Sequence, residues 1–387
     1  MDEMSDSCES EESMAGVARR GRGAVYRWLL LVVLAPLLML TGGPAHAQGA
    51  WLTTAPLPVG RMDIAGATAA CPSGVAGLSG TCVYAIGGLT GNTVEAFSPA
   101  TNRWVALPPL PVPRRSVAAT TAPCPGIAGL FGSCVYAMGG GNDTSAVGTV
   151  EAYSPAANRW VSLPPLPNAR AYMAAATAPC PPGVTGLTGT CVYASGGSVG
   201  LNLAASTNMV EAYSPATNRW ATLRSLPTSH GAGAGAAAPC PHAVLSQQQT
   251  CVYVAGGFPG PAQPEENHRK VEAYYPGANV WATLPSLLTI RTRLAGAAAP
   301  CPARPAETCF YTFGGTSLGV PLDTVESYNP VDNVWSTLPS LPTARSSLAG
   351  ATAPCPANLN RTCVYAIGGT DAGGNPVPTV EAFDIER

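Results

Sequence analysis

A cationic residue recurs once in each of six similar stretches of this sequence, ten residues before a Cys-Pro pair. A guanidinium carries its N–H donors in a fixed plane, so an arginine can hold a carboxylate or phosphate through two hydrogen bonds. Six such residues brought together would form an anion-binding ring. The positions are Arg61, Arg114, Arg170, His230, Arg291 and Arg345.

A glutamate also recurs once in each stretch, within a Val-Glu motif, and it offers each cation a partner inside the protein. A feature that is present in every copy is explained more simply by the architecture of the repeat than by one asymmetric ligand. We therefore favour Arg–Glu pairing and keep ligand binding as the alternative. The glutamates are Glu95, Glu151, Glu211, Glu272, Glu326 and Glu381.

The fourth stretch departs most from the others. His230 replaces the arginine, and the segment from Phe258 to Lys270 is the longest of its kind and carries Glu265, Glu266 and His268. Two imidazoles and two carboxylates can ligate a metal or transfer protons, although a solvated charged loop is the commoner explanation. We predict ligand-binding candidates here but no metal and no cofactor.

Twelve of the thirteen cysteines form six local pairs separated by 8 to 11 residues. Zinc and redox sites use closer spacings such as C-x-x-C, so local disulfides are the better interpretation. Each should stabilise its hairpin by about 2 to 3 kcal/mol in the chain-entropy model. The predicted pairs are Cys71 with Cys82, Cys124 with Cys134, Cys180 with Cys191, Cys240 with Cys251, Cys301 with Cys309, and Cys355 with Cys363.

The elements that carry these residues repeat with a period of 52 to 60 residues, which indicates a repeat architecture. In each copy a Thr-Cys-Val-Tyr-like run ends at Gly-Gly, a Val-Glu-Ala-Tyr/Phe run follows, and an Asn-x-Trp motif usually precedes a Leu-Pro segment. This order of motifs resembles the kelch repeat. The Gly-Gly pairs begin at positions 87, 139, 196, 256, 314 and 368.

The resemblance implies that each copy is a blade of four antiparallel strands, here called a to d, and that residues 50–387 form an all-β, six-bladed kelch-type β-propeller. Strand a, as in Leu348–Ala353, consists of small residues, as an innermost strand crowded around an axis requires. The strand d tryptophans would fill the wedges between blades. The cations would lie near one mouth of the central channel.

The last copy ends after its strand c, at Val380–Phe383, whereas Trp51 and Leu57-Pro58 form a strand d that lacks its own strands a to c. We therefore expect the N-terminal strand to complete the sixth blade. The ring would then have no open edge.

Residues 1–47 have the features of a signal peptide. Arginines precede an apolar run from Trp28 to Leu40, and cleavage is expected near Ala47. Residues 1–13 are unusually acidic for such a leader, and Met14 is a possible initiator. The apolar run is too short for a permanent membrane anchor. The mature protein is therefore expected to be secreted or periplasmic.

Sixteen basic and sixteen acidic residues remain after position 47, so the mature net charge is near zero. Without a basic face or run, a nucleic-acid partner has no electrostatic attraction to this chain. An anionic membrane surface is disfavoured for the same reason. We expect a monomer.

Two groups of enzymes share this architecture and are disfavoured. Galactose-oxidase-like proteins use a copper site with histidine and tyrosine ligands, but the mature chain keeps only His230, His242 and His268. Sialic-acid epimerases use an acidic residue and an arginine near the channel. Asp63 with Arg61, or Glu265 with Arg291, would be such pairs.

The favoured function is an exported binding module whose loops between strands b and c and between strands d and a contact a protein, peptide or glycan. No catalysis is assumed. The alternative is a channel-mouth enzyme that acts on an anionic sugar.

Overall fold

The computed structural model describes residues 49–387, except 90, 128 and 242–248. The described chain forms six antiparallel sheets of four strands each, so the predicted six-bladed all-β propeller is confirmed. The predicted leader, residues 1–47, lies outside the described residues, and so does His242. No helix in the described part of the chain is long and apolar enough to cross a membrane.

Blades one to three follow the predicted order of strands a to d. Blade one comprises Ala65–Ala70, Thr81–Ile86, Val94–Ser98 and Arg103–Ala106. Blade two comprises Ala118–Pro123, Ser133–Met138, Val150–Ser154 and Arg159–Leu163. Blade three comprises Ala174–Pro179, Thr190–Ser195, Val210–Ser214 and Arg219–Thr222, with a short 3-10 helix at Leu203–Ala205.

Blades four to six keep this order, and two of them carry extra elements. Blade four comprises Ala234–Pro239, Thr250–Ala255, Val271–Tyr275 and Val280–Leu284, with 3-10 helices at Glu265–Arg269 and Pro276–Ala278. Blade five comprises Ala295–Cys301, Arg304–Phe313, Val325–Asn329 and Val334–Leu338, with a small hairpin of Thr316–Ser317 and Val320–Pro321. Blade six comprises Ala349–Cys355, Asn358–Ile367, Val380–Asp384 and the N-terminal Ala50–Thr53.

Strand a is built of small residues because six of these strands meet around the axis. Each strand a contacts the strand a of both neighbouring blades, and these contacts close the ring. A Cβ atom added to Gly66 would lie 2.3 Å from the carbonyl oxygen of Gly350 in the adjacent blade. Strand a residues line a central channel of about 240 Å³. Larger side chains at the contact points would push the blades apart.

The strand d tryptophans join successive blades, as predicted. The ring of Trp160 lies 5.2 Å from that of Tyr153 in its own blade, and its indole N–H donates to the carbonyl of Pro108 in the preceding blade, at 2.9 Å. Trp220 makes the same contact with the carbonyl of Pro164. Because a buried indole needs an acceptor for its N–H, this bond fixes how each blade packs on the one before it.

The N-terminal strand closes the sixth blade, as predicted. Ala50–Thr53 pairs in antiparallel register with Val380–Asp384, and Trp51 lies opposite Phe383. The Trp51 indole donates to the carbonyl of Pro339 in blade five at 2.8 Å. The last blade is therefore held by the same contact as the others, although its outer strand comes from the opposite end of the chain.

All six predicted cysteine pairs form disulfide bonds within the a–b hairpins, at the face opposite the Gly-Gly pairs. Their Cα atoms lie 4.8 to 5.0 Å apart. The second cysteine of each pair lies on strand b and is almost completely buried. The bonds join Cys71 to Cys82, Cys124 to Cys134, Cys180 to Cys191, Cys240 to Cys251, Cys301 to Cys309, and Cys355 to Cys363.

A tyrosine hydroxyl bond accompanies the disulfide at the loop end of the a–b hairpin. In blade one, the Tyr84 hydroxyl donates to the carbonyl of Ala70 at 2.6 Å. In blade three, Tyr193 makes the equivalent bond to the carbonyl of Pro179 at 2.6 Å. These hairpins are thus fastened at one end by a covalent bond and by a hydrogen bond.

Replacing Trp51 with alanine is expected to lower the free energy of unfolding by about 3 kcal/mol, because it removes a large side chain from the wedge between blades five and six. Trp281→Ala, within the continuous blade four, is the control of equal size. Only Trp51→Ala should accelerate amide hydrogen exchange in Ala50–Thr53. Equal exchange in that strand for both variants would contradict closure by the N-terminal strand.

Peptide mapping without reduction should return six hairpin disulfides. Replacing Cys180 and Cys191 together with alanine should lower the free energy of unfolding by about 2 to 3 kcal/mol, measured by denaturant titration. A bond that joins two different blades, or free thiols in the purified protein, would disprove this pairing.

Candidate functional site

The six predicted cations are buried, and each pairs with the glutamate of its own blade. Arg61 and Arg114 make short ion pairs with Glu95 and Glu151. Nitrogen–oxygen distances in the other blades are 2.9 Å for Arg170–Glu211, 3.1 Å for His230–Glu272, 3.1 Å for Arg291–Glu326 and 2.7 Å for Arg345–Glu381. The favoured interpretation from the sequence, Arg–Glu pairing, is what the structure shows.

These arginines also fasten the loop between strands b and c. Nη1 of Arg291 donates to the carbonyls of Gly314 and Thr324, at 3.1 and 2.9 Å, which flank that loop. Nη1 of Arg345 makes the equivalent bonds to Gly368 and Thr379 at 2.7 and 2.8 Å. Since the guanidinium groups of Arg291 and Arg345 each contact two carbonyls and a carboxylate, their role in the described structure is architectural.

Burial disfavours the charged forms of these side chains, whereas the opposite charge of the partner favours them. Desolvation lowers the pKa of Arg291, whereas the adjacent Glu326 carboxylate raises it. In blade one, burial raises the pKa of Glu95 and the Arg61 guanidinium opposes that change. A ligand at these positions would have to separate a buried ion pair, which costs several kcal/mol. Binding of a ligand by these six residues therefore stays a prediction, and none of the six side chains is exposed to a ligand in this structure.

His230 keeps the geometry of the arginines that it replaces. Its Nδ1 lies 2.5 Å from the carbonyl of Gly256, and its Nε2 lies 3.1 Å from the Glu272 carboxylate. A carbonyl oxygen only accepts, so Nδ1 carries a proton. Nε2 faces the Glu272 carboxylate, so the contact with the strand c glutamate that the arginines make in the other blades is preserved in blade four.

The blade-four loop does not assemble with His230. Glu265 and Glu266 are exposed on the 3-10 helix, whereas the His268 ring packs edge-on against Phe258 at 5.1 Å. Partial burial lowers the pKa of His268, and nearby Glu265 opposes this shift. No group of three or more His, Cys, Asp or Glu side chains in the described residues is arranged to hold a metal ion.

The channel mouth is formed by a different set of residues, two positions after each buried cation. The backbone N–H of each donates to the carbonyl of its counterpart in the preceding blade, at 2.8 to 3.1 Å, and the six bonds form a closed ring. We call this set the mouth ring. It consists of Asp63, Ser116, Tyr172, Ala232, Arg293 and Ser347.

The mouth ring has the same backbone conformation in every blade, but its six positions carry five different residue types. All of its residues adopt positive φ angles of 53° to 59°, a conformation that is costly for residues other than glycine by about 1 kcal/mol. Glycine would relieve this cost, yet none of the six is glycine. Tyr172 and Arg293 therefore carry large side chains at positions whose backbone conformation favours glycine.

Five of these residues contribute polar or aromatic groups to a pocket of about 90 Å³ at the mouth. Nη1 of Arg293 lies 3.6 Å from the Asp63 carboxylate and 3.4 Å from Ser347 Oγ. Its guanidinium carbon lies 5.5 Å from the centre of the Tyr172 ring. Ser116 Oγ is buried and has no hydrogen-bond partner in the described chain. The pocket thus holds a pre-positioned cation and an unused hydroxyl.

Sequence analysis missed Tyr172, Ser116, Ser347 and Arg293 as site residues. It named Asp63, but as a partner of Arg61, and the structure instead places Asp63 beside Arg293 while Arg61 pairs with Glu95. The other suggested pair also fails to form, because Arg291 binds Glu326 and Glu265 is exposed. The signal that could have identified them is the change of residue type from copy to copy at the position two residues after the repeated basic residue.

Two arginines separated by one residue provide a matched test of these roles. Arg291→Ala should lower the free energy of unfolding by about 3 to 5 kcal/mol, because it leaves the Glu326 carboxylate buried without a partner. Arg293→Gly should change stability by no more than about 1 kcal/mol, because the loss of a surface ion pair is offset by relief of the positive φ. Chemical denaturation of both variants measures this, and equal losses would contradict it.

The sequence of this chain is similar to those of known proteins. The kelch-motif family model matches residues 70–111, 128–167, 179–227 and 300–342. Kelch-like protein 23 of Mus musculus is 26% identical over 296 residues, which are 74% of this chain and 43% of that protein. Kelch-like protein 35 of Mus musculus is 30% identical over 174 residues, which are 45% of this chain and 25% of that protein. The chain thus spans less than half the length of these relatives.

A solved structure, that of YjhT, has the same fold. It superposes with a TM-score of 0.59 and 16% identity, covering 84% of this chain and 95% of its own. The six four-stranded blades, the repeated Gly-Gly and tryptophan positions, the matches to the kelch motif in four repeats and the kelch-like relatives support a kelch-repeat family for this β-propeller.

Proposed function

We propose that this protein is an exported binding module that holds a protein or peptide segment on its loop face, the face formed by the b–c and d–a loops. Kelch propellers commonly act as protein-interaction modules. The observation that carries the proposal is the mouth ring, in which a repeated backbone presents five different residue types at six positions. An asymmetric partner needs such an asymmetric surface, whereas the repeated pairs beneath it serve the scaffold.

Exposed apolar side chains on the same face support this proposal. Leu318 is 86% exposed at the tip of the blade-five hairpin, and Val320 beside it is 61% exposed. Seven of the eleven exposed large apolar residues in the described chain belong to b–c or d–a loops. Apolar contacts surrounding a polar anchor are typical of protein-binding surfaces. The seven are Val59, Leu89, Val112, Val199, Leu288, Leu318 and Val320.

Export agrees with the chemistry of the cysteines. Six disulfides in one chain require an oxidising compartment in ordinary cells, so the folded propeller suits the cell exterior or a periplasm. The leader predicted at 1–47, with cleavage near Ala47, would deliver it there. A near-zero net charge after cleavage gives no attraction to nucleic acid or anionic lipid, and we propose that the mature protein is a monomer.

A channel-mouth enzyme acting on an anionic sugar is the second candidate, because Asp63 and Arg293 share the mouth pocket. Its volume of about 90 Å³ is small, however, compared with the roughly 300 to 1,000 Å³ of sites that enclose small molecules. The pocket admits the end of a protruding side chain more readily than a whole sugar ring. A galactose-oxidase-like copper site has less support, since His230 is committed to Glu272.

The test uses the exported protein as bait against a random peptide display library, with a glycan array as the second probe. Selected peptides should bind at least tenfold more weakly to Leu318→Asn and to Tyr172→Ala, because interface anchors typically contribute more than about 1 kcal/mol each. Asparagine tolerates the positive φ of position 318. Phe131→Asn is the matched control, since Phe131 is 69% exposed on the a–b hairpin of the opposite face.

Failure to enrich any peptide would count against the proposal. So would peptides whose affinity falls with Phe131→Asn but not with the loop-face variants. Glycan binding that depends on Tyr172, without peptide binding, would replace the protein partner with a carbohydrate.

A further inference from the structure

A second cavity lies on the face opposite the mouth ring, at the seam between blades four and five. Its volume is about 260 Å³, compared with about 90 Å³ for the mouth pocket. A cavity of roughly 150 Å³ is enough to hold benzene, so this one has room for a six-membered ring with several substituents. We call it the seam cavity. Its walls include Cys240 and Gln249 of blade four and Thr308, Pro330 and Val331 of blade five.

The free polar groups of the seam cavity are uncharged. The side-chain amide of Gln249 and the hydroxyl of Thr308 make no hydrogen bond to another residue of the described chain. Glu307 also lines the cavity, but its carboxylate already accepts from Arg304 at 3.1 Å and from Asn329 at 2.8 Å. An amide and a hydroxyl both donate and accept. The cavity therefore suits a neutral ligand that carries donors and acceptors of its own.

Gly277 gives the Gln249 amide its position. A Cβ atom at residue 277 would lie 2.5 Å from Oε1 of Gln249 and 2.9 Å from Nε2, so the amide occupies the space that a side chain at 277 would fill. The φ angle of Gly277 lies outside the left-handed region, so the backbone does not require glycine there. What the glycine provides at this position is room for the amide.

A buried hydroxyl without a partner lies in the core beside the seam cavity. Tyr275 is completely buried in the same apolar cluster as the wall residue Cys240, and its hydroxyl has no hydrogen-bond partner in the described chain. Blades one and three have a serine at this position, Ser98 and Ser214, whose hydroxyl donates to the a–b hairpin of its own blade. Because a buried hydroxyl without a partner is costly, a bound hydroxyl group would be stabilised by Tyr275.

We propose that the seam cavity binds a neutral hexopyranose residue, at a site separate from the loop face. A sugar ring carries hydroxyl groups around its edge and C–H groups on its faces. The amide of Gln249 and the hydroxyl of Thr308 bond to hydroxyl groups on the ring edge. Pro330 and Val331 contact the C–H groups of one ring face, and the innermost hydroxyl bonds to Tyr275. The propeller would thus hold a glycan on one face and a protein segment on the other.

The probes are the methyl glycosides of glucose, galactose, mannose and N-acetylglucosamine, titrated into the purified protein and followed by calorimetry. At least one should bind. Gln249→Ala and Thr308→Val should each weaken its binding about three- to tenfold, which is the contribution of one hydrogen bond. Gln263→Ala and Thr362→Val are the matched controls and should bind normally. Gln263 is exposed on the blade-four loop, and Thr362 has the position of Thr308 in blade six.

Two further variants separate the amide and the buried hydroxyl from general effects on the fold. Gly277→Ala should weaken binding by the same factor as Gln249→Ala, and the two changes together should cost no more than either alone. Gly126→Ala is its control, because a Cβ atom there meets nothing within 4 Å. Tyr275→Phe should weaken binding without lowering the free energy of unfolding, because the hydroxyl has no partner in the described chain.

Three results would overturn the proposal: no glycoside binds, Gln249→Ala and Thr308→Val keep normal affinity, or the control variants lose as much. Binding of p-cresol without any glycoside would assign the cavity to an aromatic group instead. Loss of glycoside binding in Tyr172→Ala would move the sugar to the mouth pocket and refute the seam site. Peptide binding is tested by loop-face variants such as Leu318→Asn, so failure of the seam site leaves the proposed function standing.

Discussion

A buried contact between a basic residue and a glutamate, at the loop end of every blade, is the interaction on which the loop face depends; the basic residue is arginine in five blades and His230 in the fourth. The pair ties the entry to strand a, where the cation lies, to the second residue of strand c, where the glutamate lies. In blades five and six the cation also holds carbonyls on both sides of the b–c loop. Because these charges are closed to solvent, the pair tolerates little displacement. It therefore fixes the backbone from which the mouth ring starts two residues later.

The residues that are the same in every blade and the residues that differ between blades lie close together in the sequence but have different surroundings. Arg291 belongs to the repeated set and faces Glu326 inside the blade, whereas Arg293 belongs to the mouth ring and faces the pocket. The closed ring of backbone hydrogen bonds needs only the main chain, so side chains in it are free to differ. A propeller can in this way change what it binds without disturbing what holds it together.

Much of the fold was available from the sequence because its signals were repeated six times. The Gly-Gly positions, the small residues of strand a and the lone Trp51 led to the blade count, the strand order and the closure. The site was not available in this way. The spacing of Arg61 and Asp63 along the sequence does not show which of the two side chains lies at the channel mouth. The positive φ angles of the mouth ring were also hidden, because none of its residues is glycine. The only sequence signal left for the site was the difference between the six copies at the mouth-ring positions.

Recognition at this mouth has to act at short range. Residues 48–387 carry sixteen basic and sixteen acidic side chains, so no net charge steers an anion towards Arg293, and encounter with a partner depends on diffusion. Tyr172 and Asp63 then matter through pre-organisation, since they hold the guanidinium while leaving its outer edge unused. Side chains that are already held in place in the free protein lose less conformational entropy when a partner binds, which favours binding without any additional contact.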